Sequence, residues 1–208
     1  MKTEVTLLPL TEAARLTEAF WHFPERMERA RRCLRTDDRL RCLGASALLS
    51  GVLGIREEDL RYSAYGKPYV PDMKLRFNLS HSGNYVLLAT DGEEIGADIE
   101  RIDSVRLRLA ERVSVPEEQA WMRDDPLRFF ALWTMKESVM KQCGLGLTLR
   151  PDTFSVLPLL RGDSVSIEGR RLFGATVCFD GHCISVCAPH PIEPLSPRIV
   201  TAEELEQA

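Results

Sequence analysis

Two long helical stretches, each followed by several short β-rich runs, limit the folds open to this chain more than any other feature of its sequence. The helical stretches cover 24–53 and about 104–143. The β-rich runs are separated by Pro, Gly, Asn and Asp turn signals. Helices followed by strands, twice, predict an α+β fold of two similar halves, residues 1–103 and 104–208. An Asp-Gly turn between strands recurs in both halves, although such turns are common.

The bounds of individual elements follow from caps and turn residues. The first stretch divides into two helices, 24–35 and 37–53. The sequence TDD at 36–38 can cap the second helix, and Gly54 can end it. The second stretch is broken near RDDP at 123–126. Strands are predicted in EVTLLPL, RYSAYGKPYV, LRFNLS, NYVLLAT and EIGADIE, and again in TFSVLP, DSVSIE, ATVCFD and HCISVCA.

Length, composition and charge exclude several classes of protein. The 208 residues suffice for a hydrophobic core, and 44% hydrophobic with 28% charged residues is ordinary for a globular chain rather than a disordered or fibrous one. No apolar run approaches the roughly 18–20 residues that cross a membrane. The N-terminus has acidic residues and no long apolar core, unlike a secretory signal. We therefore expect a soluble, cytoplasmic protein.

The chain has six cysteines, and none belongs to a C-x-x-C motif. Reduced thiols are expected in a cytoplasmic protein. The run ATVCFDGHCISVC predicts a hairpin with a two-residue turn at Asp180 and Gly181. Cys178 then lies opposite Cys183, and Cys187 shares the face of Cys183. Small buried side chains are the favoured interpretation, and a zinc or redox site is the alternative.

Two acids interrupt the otherwise apolar strand IGADIE, residues 95–100. Asp98 and Glu100 share one face because side chains alternate with period two, and their Cα atoms are about 6.5–7 Å apart. Both carboxylates can reach one hard cation, and Mg²⁺ favours one or two protein carboxylates completed by water and phosphate oxygens. A solvated strand face is the alternative, and this pattern alone does not decide between the two.

The helix predicted over FFALWTMKESVMKQCG, residues 129–144, carries one stripe of Trp133, Glu137 and Lys141. The ordinary interpretation of Glu137 and Lys141 is a surface ion pair. In the functional interpretation, Glu137 is a third carboxylate and Lys141 is a partner for phosphate. Glu137 can act as a general base if its helix packs beside the strand at 95–100.

Two segments before that strand carry groups suited to an anion. FNLSHSGNY, residues 77–85, brings Ser80 and His81 to a Gly turn that exposes N–H groups and hydroxyls. YGKPYV adds Lys67, which is fixed beside Pro68 and can contact a phosphate. An ordinary hairpin turn with a polar histidine is the alternative.

Seven arginines crowd into residues 26–41. Acids are interleaved with them, so the plain interpretation is a solvated helix face with ion pairs at i, i+3 and i+4. Arg26 and Arg29 share a face and can form a fork for one phosphate. Nucleic-acid binding is a further alternative, but the net charge is −4 and no nucleic-acid recognition motif is present.

These segments, taken in order, resemble one known family. GKP, FNLSHSG, IGADIE and FFALWTMKESVMKQCGLGL, within residues 66–148, are similar to the motifs of 4′-phosphopantetheinyl transferases of the surfactin-synthetase-activating class. The likeness extends upstream to the arginine-rich helix and downstream through FSV and CAPHP, so it covers nearly the whole chain. One departure is Ala97, where the family often has a larger aliphatic residue. Ala97 faces away from Asp98, so the metal assignment is unaffected. A second departure is in the upstream basic helix, where this chain has Arg at positions at which the family also has Lys, so the positive charge is kept.

The resemblance implies an enzyme that moves the phosphopantetheine arm of coenzyme A onto a serine of an apo acyl or peptidyl carrier protein, releasing adenosine 3′,5′-bisphosphate. It implies that Mg²⁺ is held by Asp98, Glu100 and Glu137. Lys141 matches the family's helix lysine and is also a coenzyme A contact. The other implied coenzyme A contacts are Arg26, Arg29, Lys67, Pro68, Ser80 and His81.

The family fold has two similar halves, each with helices packed on a small, mainly antiparallel sheet, and the active site at their junction. That fold would bring Glu137 of the second half to Asp98 and Glu100 of the first. Glu137 and Lys141 are then the implied catalytic residues. Glu137 deprotonates the serine, directly or through water, and Lys141 stabilises charge on the pyrophosphate. Glu118 is the alternative base.

Two other functions stay open. A Mg²⁺-dependent phosphoanhydride hydrolase acting on a nucleotide or on coenzyme A would use the same acids without a carrier protein. A non-catalytic module would bind coenzyme A or nucleic acid through the arginine-rich helix. We expect a monomer, because two halves of one chain can share the site, with no nucleic-acid or membrane partner. Carriers of fatty-acid, polyketide and peptide synthesis are all open.

Overall fold

The computed structural model of the protein describes residues 2–16, 23–103, 107–123 and 125–207. Its strands are β1 (Glu4–Pro9), β2 (Arg61–Tyr62), β3 (Pro68–Tyr69), β4 (Arg76–Ser82), β5 (Tyr85–Asp91), β6 (Gly96–Arg101), β7 (Val165–Ile167), β8 (Arg170–Phe179), β9 (His182–Ala188) and β10 (Arg198–Ile199). Its α-helices are α1 (Leu10–Ala13), α2 (Pro24–Arg31), α3 (Thr36–Leu53), α4 (Leu107–Val113), α5 (Pro116–Met122), α6 (Pro126–Cys143), α7 (Leu157–Leu160) and α8 (Ala202–Glu206). Within the described ranges, no helix combines the length and apolar character needed to cross a membrane.

The first sheet has the strand order β10-β1-β5-β4, and its pairs are antiparallel except for the parallel pair of β10 and β1. β5 is apolar along most of its length because both of its faces are buried. On one face, Val86 and Leu88 join Leu48 and Leu49 of α3 in a hydrophobic cluster. The other face, which includes Leu87, turns towards the second sheet.

The second sheet has the strand order β6-β9-β8-β7 and is antiparallel throughout. Helix α6 covers one face of this sheet. There, Met135 and Val139 of the helix share a buried cluster with Cys183 and Cys187 of β9. The spacing of four residues between the two helix positions places both side chains on the face that meets the sheet.

The two sheets repeat one topology. Each has a first strand, a long helix and a hairpin, and the first strand pairs with the second strand of the hairpin, as β1-β5-β4 and β6-β9-β8. Leu87, Ile99 and Ile184 belong to an apolar cluster shared by both sheets. At the junction, Ala97 N donates to Asn78 Oδ1 at 2.9 Å, so β4 and β6 lie side by side. The predicted α+β fold of two similar halves with small, mainly antiparallel sheets is confirmed.

The predicted division at residue 103 concerns domains and stays a prediction. The sheets change earlier along the chain, between β5 and β6, because β6 pairs with β9. The chain later returns to the first sheet, where β10 pairs with β1 and Leu205 of α8 packs in the cluster beneath α3. A cut at residue 103 would therefore separate β6 and β10 from the strands that they pair with.

Helix bounds differ from the predictions at several points. α2 ends at Arg31 rather than at residue 35. α3 begins at Thr36, and its cap residue Arg35 makes no side-chain capping hydrogen bond, so the predicted cap is wrong. Gly54 ends α3 in the left-handed region, with φ 64°, as predicted. The break near 123–126 is confirmed, since α6 begins at Pro126 with Asp125 as its cap.

The strand predicted in TFSVLP is wrong. Residues Pro151–Thr153 form a 3₁₀ turn, and Leu157–Leu160 form α7. Side chains from other elements bind the backbone here: Lys136 Nζ donates to the Pro151 and Phe154 carbonyl oxygens, both at 2.6 Å. Because these groups are already paired, the segment needs no neighbouring strand.

Candidate active site

Two carboxylates point from β6 towards the end of β4. Asp98 is 4% exposed and accepts a hydrogen bond from Ser80 Oγ at 2.6 Å. Glu100, two residues later on the same face, accepts one from Ser82 Oγ at 2.6 Å. Ser82 Oγ also accepts from Arg101 N at 3.1 Å. The predicted face of two acids is therefore real, and serines of β4, in the first sheet, bind both carboxylates.

Helix α6 lies directly against β6 because Gly96 has no side chain. A Cβ at Gly96 would lie 1.9 Å from the Ser138 carbonyl oxygen and 2.4 Å from Gln142 N. This close approach brings Lys141 to the strand. Lys141 Nζ donates to Asp98 Oδ1 at 2.6 Å, to Ser80 Oγ at 3.1 Å and to the Ala97 carbonyl oxygen at 3.2 Å. Glu137 could act as a general base only if its helix packed beside the strand at 95–100, and α6 does pack there.

The carboxylates act on one another electrostatically. Burial, with a further contribution from the charge of Asp98, raises the pKa of Glu137 from 4.5 to about 7, although Lys141 opposes the rise. Burial also raises the pKa of Glu100, against the opposing hydrogen bond from Ser82, and the charge of Asp98 adds to the rise. A cluster of this kind holds a proton near neutral pH or attracts a cation.

The donor set fits a hard divalent cation. As the side chains stand, the described residues include no group of three or more His, Cys, Asp or Glu side chains arranged to hold a metal. One oxygen of Asp98 is paired with Lys141. The other oxygen, Asp98 Oδ2, is buried without a hydrogen-bond partner. A buried carboxylate oxygen without a partner is costly, and a cation such as Mg²⁺ would satisfy it. The assignment of Asp98, Glu100 and Glu137 as ligands stays a prediction.

A cavity of about 600 Å³ opens beside Lys141 between α2, the β2–β3 turn and β4. Among the predicted coenzyme A contacts, those that line it are Arg26, Arg29, Pro68, Ser80, His81 and Lys141. Arg26 Nε is buried and has no hydrogen-bond partner within the described part of the chain. The cavity thus combines three cationic side chains with a donor that lacks an acceptor, which suits an anionic ligand.

His81 lines this cavity, and the charge of Arg41 acts on the His81 ring. His81 is exposed at the surface, but partial desolvation by the surrounding residues lowers its pKa. The charges of Arg41 and Lys141 lower that pKa further. Arg41 donates to the Gly83 carbonyl oxygen at 2.6 and 3.2 Å and to Asp38 Oδ1 at 2.6 Å. His81 is therefore a neutral imidazole near pH 7, held beside a fixed turn.

Lys67 is missing from the described residues that line the cavity. Its Nζ binds the Glu94 carboxylate and the Ile95 carbonyl oxygen, the latter at 2.8 Å. Burial lowers the pKa of Lys67, although Glu94 opposes that shift. The predicted contact with coenzyme A would require Lys67 to leave Glu94, and it stays a prediction.

Comparisons with known proteins decide the family. The sequence model of the 4′-phosphopantetheinyl transferase superfamily matches residues 94–187, which include β6, α6, β8 and β9. The chain is 37% identical over 207 residues to 4′-phosphopantetheinyl transferase Sfp of Bacillus subtilis (strain 168), covering 90% of this chain and 92% of that protein. The chain belongs to the 4′-phosphopantetheinyl transferase superfamily. It is also 36% identical over 110 residues to the transferase gsp of Aneurinibacillus migulanus, covering 50% of this chain and 46% of that protein. Over 121 residues it is 37% identical to the transferase AcpT of Escherichia coli (strain K12), covering 51% and 58%.

Glu118, the alternative base for this transferase, has a structural role instead. It is fully buried and pairs with Lys136 Nζ at 2.7 Å. Its two oxygens also accept hydrogen bonds from Val115 N at 2.9 Å and Val156 N at 2.8 Å. A carboxylate enclosed in this way cannot reach the hydroxyl of a substrate, so the alternative is wrong.

Sequence reasoning missed the serine and asparagine face of β4. Asn78, Ser80 and Ser82 alternate with Phe77, Leu79 and His81, and each binds a group on β6. Period two in FNLSHS could have revealed this face. The pattern would have predicted that β4 presents polar groups to a neighbouring element of the transferase, though not to which one.

Proposed function

We propose that this protein transfers the 4′-phosphopantetheine arm of coenzyme A to a serine of an apo carrier protein, with Mg²⁺, and releases adenosine 3′,5′-bisphosphate. The observation that carries the proposal is that Lys141 lines the same cavity as Arg26 and Arg29 and also pairs with Asp98. The charges of Asp98 and Lys141 both act on the carboxyl group of Glu137. Both acyl and peptidyl carrier proteins are proposed as partners, with a monomeric enzyme in solution.

The positively charged side chains of the cavity suit the 3′-phosphate and the pyrophosphate of coenzyme A, which lie at different positions on the molecule. Arg26 and Arg29 on α2 would bind the 3′-phosphate as a fork. Lys141, with Ser80 and His81, would bind the pyrophosphate at the junction of the halves. The nucleotide would then extend from α2 to α6, with the reacting phosphorus beside β6.

Asp98, Glu100 and Glu137 would hold Mg²⁺, which supplies neutralisation of the charge on the pyrophosphate. The residues of this chain carry the remaining tasks. Glu137, directly or through a water, can accept the proton of the carrier serine as its oxygen attacks the phosphorus. The new bond joins serine oxygen to phosphorus, and the phosphoanhydride bond breaks. Lys141 opposes the charge that develops on the departing phosphate.

The test mixes the protein with coenzyme A, MgCl₂ and either an apo acyl or an apo peptidyl carrier protein. Intact-mass measurement of the carrier is expected to show the gain of one phosphopantetheine, and chelation of the metal should abolish it. Cleavage of coenzyme A with an unmodified carrier would instead indicate the hydrolase. Binding of coenzyme A without any turnover would indicate the non-catalytic module.

A further inference from the structure

Cys178 and Cys183 form a thiol pair that the proposed function does not use. The strand register pairs Cys178 of β8 directly with Cys183 of β9, as the predicted hairpin requires. Both are free thiols. The zinc alternative has no support, because within the described ranges no three His, Cys, Asp or Glu side chains are grouped to hold a metal.

The hairpin turn decides how close the two residues lie. Asp180 and Gly181 have φ values of 44° and 69°, as a two-residue type I′ turn requires. The residues that flank such a turn form a hydrogen-bonded pair, so the next pair outward, Cys178 and Cys183, is a non-hydrogen-bonded pair. The Cα atoms of such a pair lie about 4.5 Å apart, within the roughly 4.4–6.8 Å that disulfides span.

The two thiols differ in their access to solvent. Cys178 is exposed and Cys183 is fully buried. Burial raises the pKa of Cys183 to about 12, and the adjacent Cys178 thiol contributes to that rise. Cys178 is therefore the sulfur that meets an oxidant from solution first, and Cys183 is the sulfur placed to resolve the product.

The core beside Cys183 can accept a rotation of its sulfur. Thr134 Oγ1 lies 3.6 Å from Cys183 Sγ. The same hydroxyl lies 2.7 Å from Ser185 Oγ and donates to the Phe130 carbonyl oxygen at 2.8 Å. Thr134 thus keeps hydrogen-bond partners when the sulfur turns towards Cys178.

We propose that Cys178 and Cys183 are a redox modification site that hydrogen peroxide closes to a cross-strand disulfide. The Cys178 thiol attacks one peroxide oxygen, which gives a sulfenic acid and one water. The Cys183 sulfur then attacks the sulfenic sulfur, the S–S bond forms, and the hydroxyl leaves as a second water with the Cys183 proton. Two thiols thereby give two electrons and two protons to one peroxide. The pair lies one strand from the candidate active site, since Cys183 also pairs with Glu100.

The experiment treats the folded full-length chain with hydrogen peroxide, blocks the remaining thiols by alkylation, and digests the denatured protein with a protease that cleaves before aspartate. Cleavage between Phe179 and Asp180 separates the two cysteines, so only a disulfide joins the resulting peptides. Mass spectrometry is expected to find the joined peptides, and their loss after reduction.

Three variants identify which cysteines are linked and separate loss of the linkage from loss of the fold. Cys178→Ser, at an exposed position, should fold normally and give no joined peptides, and Cys183→Ala should also give none. Cys187→Ala is the matched control, because Cys187 lies on the same peptide as Cys183 and is equally buried, and it should keep the linkage. No joined peptides from the parent protein, or a linkage that persists in Cys183→Ala, would overturn the proposal.

Discussion

At the scale of single residues, Asp98 gives the most direct test of the candidate site. One of its oxygens pairs with Lys141 and the other is buried without a partner. Asp98→Ala is expected to lower kcat/KM for carrier modification by roughly 10²–10³-fold, the usual effect of removing a group that stabilises transition-state charge. The variant should still unfold cooperatively by circular dichroism. Asp103→Asn, at an exposed acid beyond β6, is the control, and near-normal activity of Asp98→Ala would contradict the assignment.

Glu137 predicts a pH dependence with a definite sign. The metal-free pKa of Glu137 is about 7, and bound Mg²⁺ would lower it because an adjacent positive charge favours the carboxylate. Turnover with Mg²⁺ should therefore rise with pH below 7 as Glu137 ionises, and Glu137→Gln should remove that rise. Without metal, the raised pKa favours the folded state below 4.5, and that stabilisation is lost as the pH rises through about 7. Relative to the parent, Glu137→Gln should therefore gain more thermal stability at pH 8 than at pH 5. A pH profile unchanged by the substitution would rule out Glu137 as the base.

The candidate site was predictable where local pattern fixes geometry. Period two placed Asp98 and Glu100 on one face of β6, and the structure confirms this placement. The fate of Glu118 was not predictable, because its partner Lys136 lies on another helix and both are buried only after α5 and α6 pack. The partner of Lys67 is likewise set by tertiary contacts, since Glu94 is distant in the sequence.

At the scale of elements, the Lys136–Glu118 pair joins α5, α6 and the segment before α7. Both side chains are fully buried, so Glu118→Gln leaves the ammonium group of Lys136 without its counter-charge. We expect a loss of about 3–5 kcal/mol in the free energy of unfolding, measured by urea denaturation. The double substitution Glu118→Leu with Lys136→Met should recover part of this loss. At temperatures where Glu118→Gln stays folded, its kcat should be near that of the parent.

The same pair explains why one strand was predicted wrongly. TFSVLP has the β-branched and aromatic residues of a strand. In the fold, Lys136 and Glu118 satisfy the backbone groups of Pro151, Phe154 and Val156. Strand propensity reflects how well a segment packs and pairs in a sheet. No sequence pattern shows that two side chains, rather than an adjacent strand, will bind the backbone groups of this segment.

At the scale of the whole molecule, the two halves were predictable from the order of helices and strands, but their interlocking was not. β6 and β10 each join the sheet that their position in the chain does not suggest. Such pairings depend on contacts between residues far apart in sequence, such as Thr6 with Arg198. The return of the C-terminal segment to the first sheet also brings His190 to Asp91 at the end of β5.

The contact between His190 and Asp91 predicts a pH-dependent stability of the fold. Asp91 is fully buried and accepts hydrogen bonds from Thr3 Oγ1 at 2.5 Å and from His190 Nε2 at 2.9 Å. His190 Nδ1 lies 3.0 Å from the Pro191 carbonyl oxygen, so both ring nitrogens face acceptors. The bond to Asp91, aided by the Pro191 carbonyl, raises the pKa of His190. Hydrogen bonds from Thr3, His190 and Glu93 lower the pKa of Asp91 despite its burial.

The sign follows from these two shifts. The stabilisation from His190 is fully present below its unfolded pKa of about 6.5 and is lost as the pH rises through its higher folded pKa. The stabilisation from Asp91 is lost only as the pH falls through its lowered pKa, so it persists across this window. His190→Gln should therefore lower the thermal midpoint most near pH 5.5–6 and least near pH 9. Glu193→Gln, which breaks a neighbouring exposed ion pair with Lys2, should have little effect at either pH. A loss of stability in His190→Gln that is equal at both pH values would mean that the contact acts without its charge.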